Sequence, residues 1–294
     1  MEEKNRVKKR SVDICVISDI HLGTFGCHAK ELLEYLNSIE PKVLVLNGDI
    51  IDAWQFNKKY FPREHISVIR RILKFAKQDT KIYYLVGNHD DFLRKYIPLQ
   101  LDNIHLDNKL ILKINGKKLW FFHGDVFDLT IQHSKWLAIL GGKSYDWLIR
   151  LNRFVNNILQ RFNRPKMSLS KKVKNSVKTA AKFINNFENT VAEKAVEENY
   201  SFVLCGHIHQ PKIKKIKTAS GEVTYMNSGD WLENLTALEY FRDEWTLYRY
   251  DDDHSLNENS QFNDHAFLEN ELAETCDQND LEAFLSPHFR KYVF

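Results

Sequence analysis

Long apolar runs are missing from this 294-residue chain, and no stretch reaches the length of a membrane-spanning helix. An integral helical membrane protein is therefore not expected. The opening segment, MEEKNRVKKRS, is charged with no apolar stretch behind it, so no secretory signal is expected there. Cysteine is sparse: Cys15, Cys27, Cys205 and Cys276 form no close pair. A disulfide framework is not implied, and a reducing cytosol is the expected compartment. No internal repeat is present. Net charge is also small, at +3, but it hides an asymmetry. Residues 129–200 hold thirteen Lys/Arg against five Asp/Glu, and residues 251–294 hold eleven Asp/Glu against two Lys/Arg. The basic stretch suits an anionic partner such as phosphate, lipid headgroup or nucleic acid. A solvated helical face is the plainer reading of the same charges.

Hydrophobic residues make up 43% and charged residues 28%, the balance of an ordinary globular protein with a substantial core. The first ninety residues alternate. VDICVIS (12–18), KVLVLN (42–47) and KIYYLVG (81–87) read as strands; KELLEYLNSI (30–39) and REHISVIRRILKFAKQ (63–78) read as helices. This β-α-β-α-β order favours a largely parallel sheet. KLILKINGKKLWFFHGD (109–125) reads as a hairpin about Asn115-Gly116. FVLCGHIHQP (202–211) holds another buried strand. Two further hairpins are expected, turning at Ser220-Gly221 and near Arg242-Asp243. Helical spacing dominates residues 130–200, with Leu148, Leu151, Phe154, Val155, Ile158, Leu159 and Phe162 on one face and a second long helix over 168–199. The expected fold class is mixed α/β: a two-sheet sandwich flanked by helices. The expected organisation is a core of residues 1–128 and 201–250, a helical cap insertion at 129–200 and an acidic tail at 251–294.

Five strand ends carry polar clusters: SDIHLG with Asp19 and His21, NGDIID with Asp49, VGNHDD with Asn88 and His89, FFHGD with His123 and Asp125, and CGHIHQP with His207 and His209. Ligands of open α/β sheets collect beyond the carboxyl ends of strands. Imidazole, carboxylate and amide oxygen together suit transition or borderline divalent cations. The set contains no cysteine, which argues against a structural zinc site. Asp-x-His and His-x-His place two ligands on one extended segment, where residues i and i+2 share a face. Taken singly, each of these residues is equally a turn, cap or core residue; taken together they point to a metal centre. Asp52 and Trp54 follow Asp49 in the same segment, and the sequence assigns them no role.

With these motifs the chain resembles the calcineurin-like metallophosphoesterase superfamily, over about residues 12–250. The resemblance implies one metal held by Asp19, His21, Asp49 and His209, and a second by Asp49, Asn88, His123 and His207, with Asp49 bridging. Two such cations can acidify a shared water and stabilise in-line displacement at phosphorus. It makes His89 the residue that protonates the leaving oxygen or stabilises the phosphoryl charge. Asp90 is then either the partner that orients His89 or a helix cap, and Asp125 either a second support for His123 or a turn residue.

The insertion resembles that of the UDP-2,3-diacylglucosamine diphosphatases of lipid A biosynthesis. HGD is followed closely by Asp128, and KNSVK supplies Asn175 and Lys178. This resemblance implies hydrolysis of UDP-2,3-diacylglucosamine to UMP and 2,3-diacylglucosamine 1-phosphate, with two divalent ions, manganese by expectation. Asp128, Asn175 and Lys178 would hold sugar and phosphate. The apolar residues of the cap, among them Trp136, Leu140 and Trp147, would form either an acyl-chain pocket or a helix–helix interface. A peripheral contact with the cytoplasmic face of the inner membrane through residues 129–200 is expected, and a nucleic-acid partner is not. The chain departs from that family in carrying His89 where its members have Arg. The alternative is a phosphodiesterase, nuclease or phosphatase acting on another nucleotide or a phospholipid.

Overall fold

The computed structural model describes residues 9–54, 60–127 and 170–255. Its first part follows the expected alternation: β1 (Arg10–Ile17), α1 (Ala29–Ser38), β2 (Ile39–Asn47), α2 (Arg63–Lys77) and β3 (Lys81–Leu85). The helices form where apolar residues recur every three or four positions. Leu32, Tyr35 and Leu36 are buried from α1, and Val68, Ile72 and Phe75 from α2. Arg71 of α2 is buried too, and its guanidinium donates to the carbonyls of Leu36 and Ile39. It thereby satisfies acceptors that the end of α1 leaves open.

Strands β1, β2 and β3 pair in parallel. Two strands that no sequence pattern announces, β4 (Leu99–Leu101) and β5 (Ile104–Asp107), extend this sheet. They are only a few residues long and not buried, so they carry no apolar alternation. Next come β6 (Lys109–Ile114) and β7 (Lys117–Phe122), then the long helix α3 (Ser170–Glu197) and β8 (Phe202–Cys205). Two hairpins follow, β9 (Lys212–Thr218) with β10 (Gly221–Asn227), and β11 (Thr236–Phe241) with β12 (Glu244–Arg249). The earlier hairpin of β6 with β7 turns on Asn115 and Gly116, both at positive φ, as a type I′ turn requires.

The strands make two sheets, in the orders β12-β11-β1-β2-β3-β5-β4 and β6-β7-β8-β10-β9. Their facing surfaces share one core, built from Val16, Val45 and Leu85 on one side and Phe121, Leu204 and Met226 on the other. Helices α1 and α2 cover the outer face of the first sheet. On the outer face of the second, Phe187, Val191, Ala192 and Ala195 of α3 pack against Phe122, Val203 and Tyr225. The two-sheet sandwich with helices outside is thus present as four layers.

The C-terminal half of α3 is an integral layer of the core, so the segment expected over 129–200 rejoins that core before Phe187. It serves as the crossover that parallel strands β7 and β8 require. The helix expected over Leu148–Phe162, the apolar residues Trp136 to Trp147 and the acidic segment beyond residue 255 lie outside the described residues. Cys15 and Cys205 are buried thiols inside strands, and burial pushes Cys15 up to about 12. No helix among the described residues is long and apolar enough to cross a membrane.

Candidate metal centre

The parallel strands end together, and the loops that leave them are zipped by backbone hydrogen bonds. Asp19 and His21 donate their backbone N–H groups to the carbonyls of Gly48 and Asp49. Leu22 donates to Ile50, and Asp52 returns a bond to Leu22. The loops after β1 and β2 are therefore one unit, and they bring Asp19, His21, Asp49 and Asp52 to one place.

The expected sharing of a strand face by Asp-x-His and His-x-His does not hold. β1 ends at Ile17 and β8 at Cys205, before either pair begins. Asp19, His21, His207 and His209 instead take left-handed backbone conformations, with φ of 52°, 54°, 68° and 50°, and Asp49 does the same at 55°. Residues other than glycine pay for that conformation, and such outliers gather where function over-determines the backbone. Here Asp19 and His21 enter one ligand set together with His209, while His207 enters the set of Asp49 and His123.

The side chains meet around Asp49. Its Oδ1 accepts the His89 backbone N–H at 2.8 Å. Its Oδ2 lies 3.2 Å from His123 Nε2 and 4.0 Å from both His21 Nε2 and His89 Nε2. Asp19 Oδ1 lies 3.1 Å from His209 Nε2, and the carboxylate accepts the backbone N–H of His207. Three sets have ligand atoms mutually within 4.8 Å: Asp19, His21 and His209; His21, Asp49 and His89; and Asp49, His123 and His207. Close backbone approach makes this possible. A Cβ on Gly87 would collide with Asp49 Oδ1, and one on Gly206 with Asp19 Oδ2.

Buried charges of both signs shape the titration. Burial disfavours the Asp49 carboxylate, but the imidazoles of His123, His21 and His89 outweigh it and hold the carboxyl far below the usual range. Burial likewise opposes charge on His209, and Asp19 overrides it, raising the imidazole to about 9. Such pairs want a positive charge between carboxylate and ring nitrogen, and a divalent cation supplies it. The tautomers agree. His123 Nδ1 lies 2.9 Å from the Asn47 carbonyl, which can only accept, so the Nε2 lone pair faces inward. His21 Nε2, His123 Nε2 and Asn88 Oδ1 are buried without a hydrogen-bond partner. Buried acceptors are seldom left so. These are the atoms a metal would use, and the donor set fits divalent cations.

The support of His89 is not the one anticipated. The Asp90 carboxylate is taken up by the backbone N–H groups of Ile50 and Gly87 and by the Tyr84 hydroxyl. It stands at the start of the 3₁₀ turn Asp91–Tyr96 but makes no side-chain cap bond there. Asp90 therefore locks the loops together and neither orients His89 nor caps a helix. Asp52, fully buried, does the orienting: its Oδ2 lies 3.0 Å from His89 Nδ1 and 3.2 Å from His21 Nδ1. The Trp54 ring lies tilted against His89 with ring centroids 4.5 Å apart, while remaining 64% exposed. The signal for Asp52 was present in the sequence as a second acid three residues after Asp49. Asp125 opens the 3₁₀ turn Asp125–Phe127, as the turn reading expected, accepts from Arg94 Nη2 at 2.6 Å and adds its charge to the anionic neighbours of His123. Asp230 and Asn234, unmarked in the sequence, support His209 from behind: Asn234 Nδ2 donates to the His209 carbonyl and to Asp230. Asp128 lies outside the described residues, as do the side chains of Asn175 and Lys178, which fall on α3.

A sandwich that gathers carboxylates, imidazoles and an amide at the carboxyl ends of its strands defines a metallohydrolase class of centre. The sequence model of the calcineurin-like phosphoesterases matches residues 12–211, and the chain belongs to that family as a metal-dependent phosphoesterase. A UDP-2,3-diacylglucosamine hydrolase of Aliivibrio fischeri is 24% identical over 242 residues, covering 80% of this chain and 98% of that protein. One of Blochmanniella pennsylvanica is 23% identical, over 70% of this chain and 82% of its own length. The DNA polymerase II small subunit of Thermoplasma acidophilum is 25% identical over 76% of this chain, which spans 46% of that larger protein.

Proposed function

We propose that the centre holds two divalent cations, one on Asp19, His21, Asp49 and His209 and the other on Asp49, Asn88, His123 and His207. The observation that carries this reading is the convergence of partnerless buried atoms, His21 Nε2, His123 Nε2 and Asn88 Oδ1, around a carboxylate within 4.0 Å of three imidazoles. Two such ions supply Lewis acidity toward phosphate oxygens and a nucleophile at neutral pH. The chain's own residues do the rest. Asp49 would serve both ions. Asp19 fixes the His207 backbone and the His209 ring together. The Asp52 carboxylate, 3.0 Å from His89 Nδ1, favours the charged imidazole, so that Nε2 can give a proton to the leaving oxygen. Trp54 covers the open face of His89.

The substrate proposed is UDP-2,3-diacylglucosamine, cleaved at its diphosphate to UMP and 2,3-diacylglucosamine 1-phosphate. The likeness to two hydrolases of that substrate, along most of both chains, supports it. Manganese is the proposed ion. Asp128, Asn175 and Lys178 are proposed to contact sugar and phosphate, with the insertion over residues 129–200 supplying the cap over the acyl chains. The working location is proposed to be the cytoplasmic face of the inner membrane. Purified protein with Mn²⁺ is offered UDP-diacylglucosamine, a cyclic nucleotide and single-stranded DNA side by side. Preferential release of UMP is the expected result, and turnover of DNA alone would reverse the assignment. In the same assay Lys178→Ala should lower kcat/KM roughly ten- to a hundredfold for the lipid-linked diphosphate, the worth of one hydrogen bond to a charged group. A small chromogenic diester should be handled as before. Equal losses on both substrates would place Lys178 at the metals instead.

A further inference from the structure

We infer that α3 clamps the loop carrying His207 and His209, and that Phe187 is a positioning residue for the second metal. The inference rests on the two-cation reading above. Phe187 is fully buried, and its ring centroid lies 6.2 Å from that of His207. His207 also meets His123 at 5.1 Å, in a T-shaped arrangement. The His207 imidazole thus has two ring neighbours, Phe187 and His123. Gly124, next to His123, leaves the gap that permits this. A Cβ there would stand 3.0 Å from Phe187 Cζ and 3.1 Å from His207 Cβ.

The next residue fastens the other end of the loop. Glu188 is buried, and its carboxylate pairs with Lys212 Nζ at 2.7 Å and Lys214 Nζ at 3.2 Å. Lys212 opens β9, three residues after His209. A buried carboxylate with two cationic partners is costly to separate from them. Residues 187 and 188 therefore grip the His207–His209 loop at its first imidazole and just after its second. Groups that support a ligand from behind typically change metal affinity by roughly 10–100-fold when removed.

The test is Mn²⁺ titration of the metal-free protein by calorimetry, with melting of the metal-free protein as control. Phe187→Ala should weaken one of two equivalents roughly 10–100-fold, and Phe187→Leu should weaken it less. Val191→Ala lies one turn further along the same buried face, in the cluster that Phe187 shares with Val203 and Tyr225. It should lower the melting temperature and leave both equivalents intact. Wild-type affinities in both Phe187 variants would overturn the clamp, as would an equal loss of metal in Val191→Ala. If Phe187→Ala does not fold, Phe187→Leu decides by the same criterion. A wild-type chain that takes up fewer than two equivalents would instead overturn the two-cation reading, and the clamp with it.

Discussion

Asp49→Ala is expected to abolish turnover and to leave the purified chain with fewer than two metal equivalents. Asp49 is the hub of the centre: one of its oxygens lies within 4.0 Å of His21, His89 and His123, and the other accepts the His89 backbone N–H. Its loss removes a carboxylate from both proposed cation sites and frees the loop that carries Asn88 and His89. The drop in affinity should exceed the roughly 10–100-fold that follows removal of an outer partner. It should also reverse local electrostatics, because His123 would keep its burial and lose its strongest anionic neighbour. Elemental analysis of the variant, alongside its rate, tests this. Two full equivalents with an undiminished rate would sink the role assigned to Asp49.

His89→Ala should cut kcat by roughly 10²–10⁴, the usual contribution of a positioned proton donor, while metal content survives. Asp52→Asn should cost less and should move the pH profile in a defined direction. Burial opposes the His89 cation, but Asp52 and then Asp49 outweigh it, so the imidazole titrates above its ordinary range. An acid catalyst loses activity as pH rises through its own pKa. Removing the Asp52 charge lowers that pKa, so the alkaline limb of the profile should shift to lower pH. Bound cations lower the starting value, yet the direction of the change stays the same. An alkaline limb that stays in place in Asp52→Asn would mean that His89 is not the titrating group. A metal-depleted His89→Ala would make His89 a ligand, as its place in a set with His21 and Asp49 permits.

The centre was legible because its chemistry is written in residue types that β-strands rarely need at their ends. Asp19, His21, Asp49, Asn88, His123, His207 and His209 could all be picked from one chain, each following an apolar run. Their supports could not. Asp90 adjoins His89 in sequence and was the natural choice of partner, yet its oxygens are taken by Ile50, Gly87 and Tyr84. Asp52, remote from His89 along the chain, holds the imidazole because β2 and β3 are hydrogen-bonded neighbours. Sequence distance says little about which side chains a turn aims at one another.

The same contrast runs through the fold. Periodicity by itself determined the β-α-β-α-β opening, the three hairpins and the four-layer class, because burial of one face imposes a repeat that composition records. Tertiary structure alone decided that Asp19, His21, Asp49, His207 and His209 turn left-handed beyond their strands, since no periodic pattern encodes a single residue at positive φ. It alone placed the C-terminal half of α3 in the core, where Phe187 reaches His207 and Glu188 reaches Lys212. A helix shows in its sequence that it has an apolar face. What that face covers depends on the crossover between β7 and β8, and that is settled only when both sheets are packed.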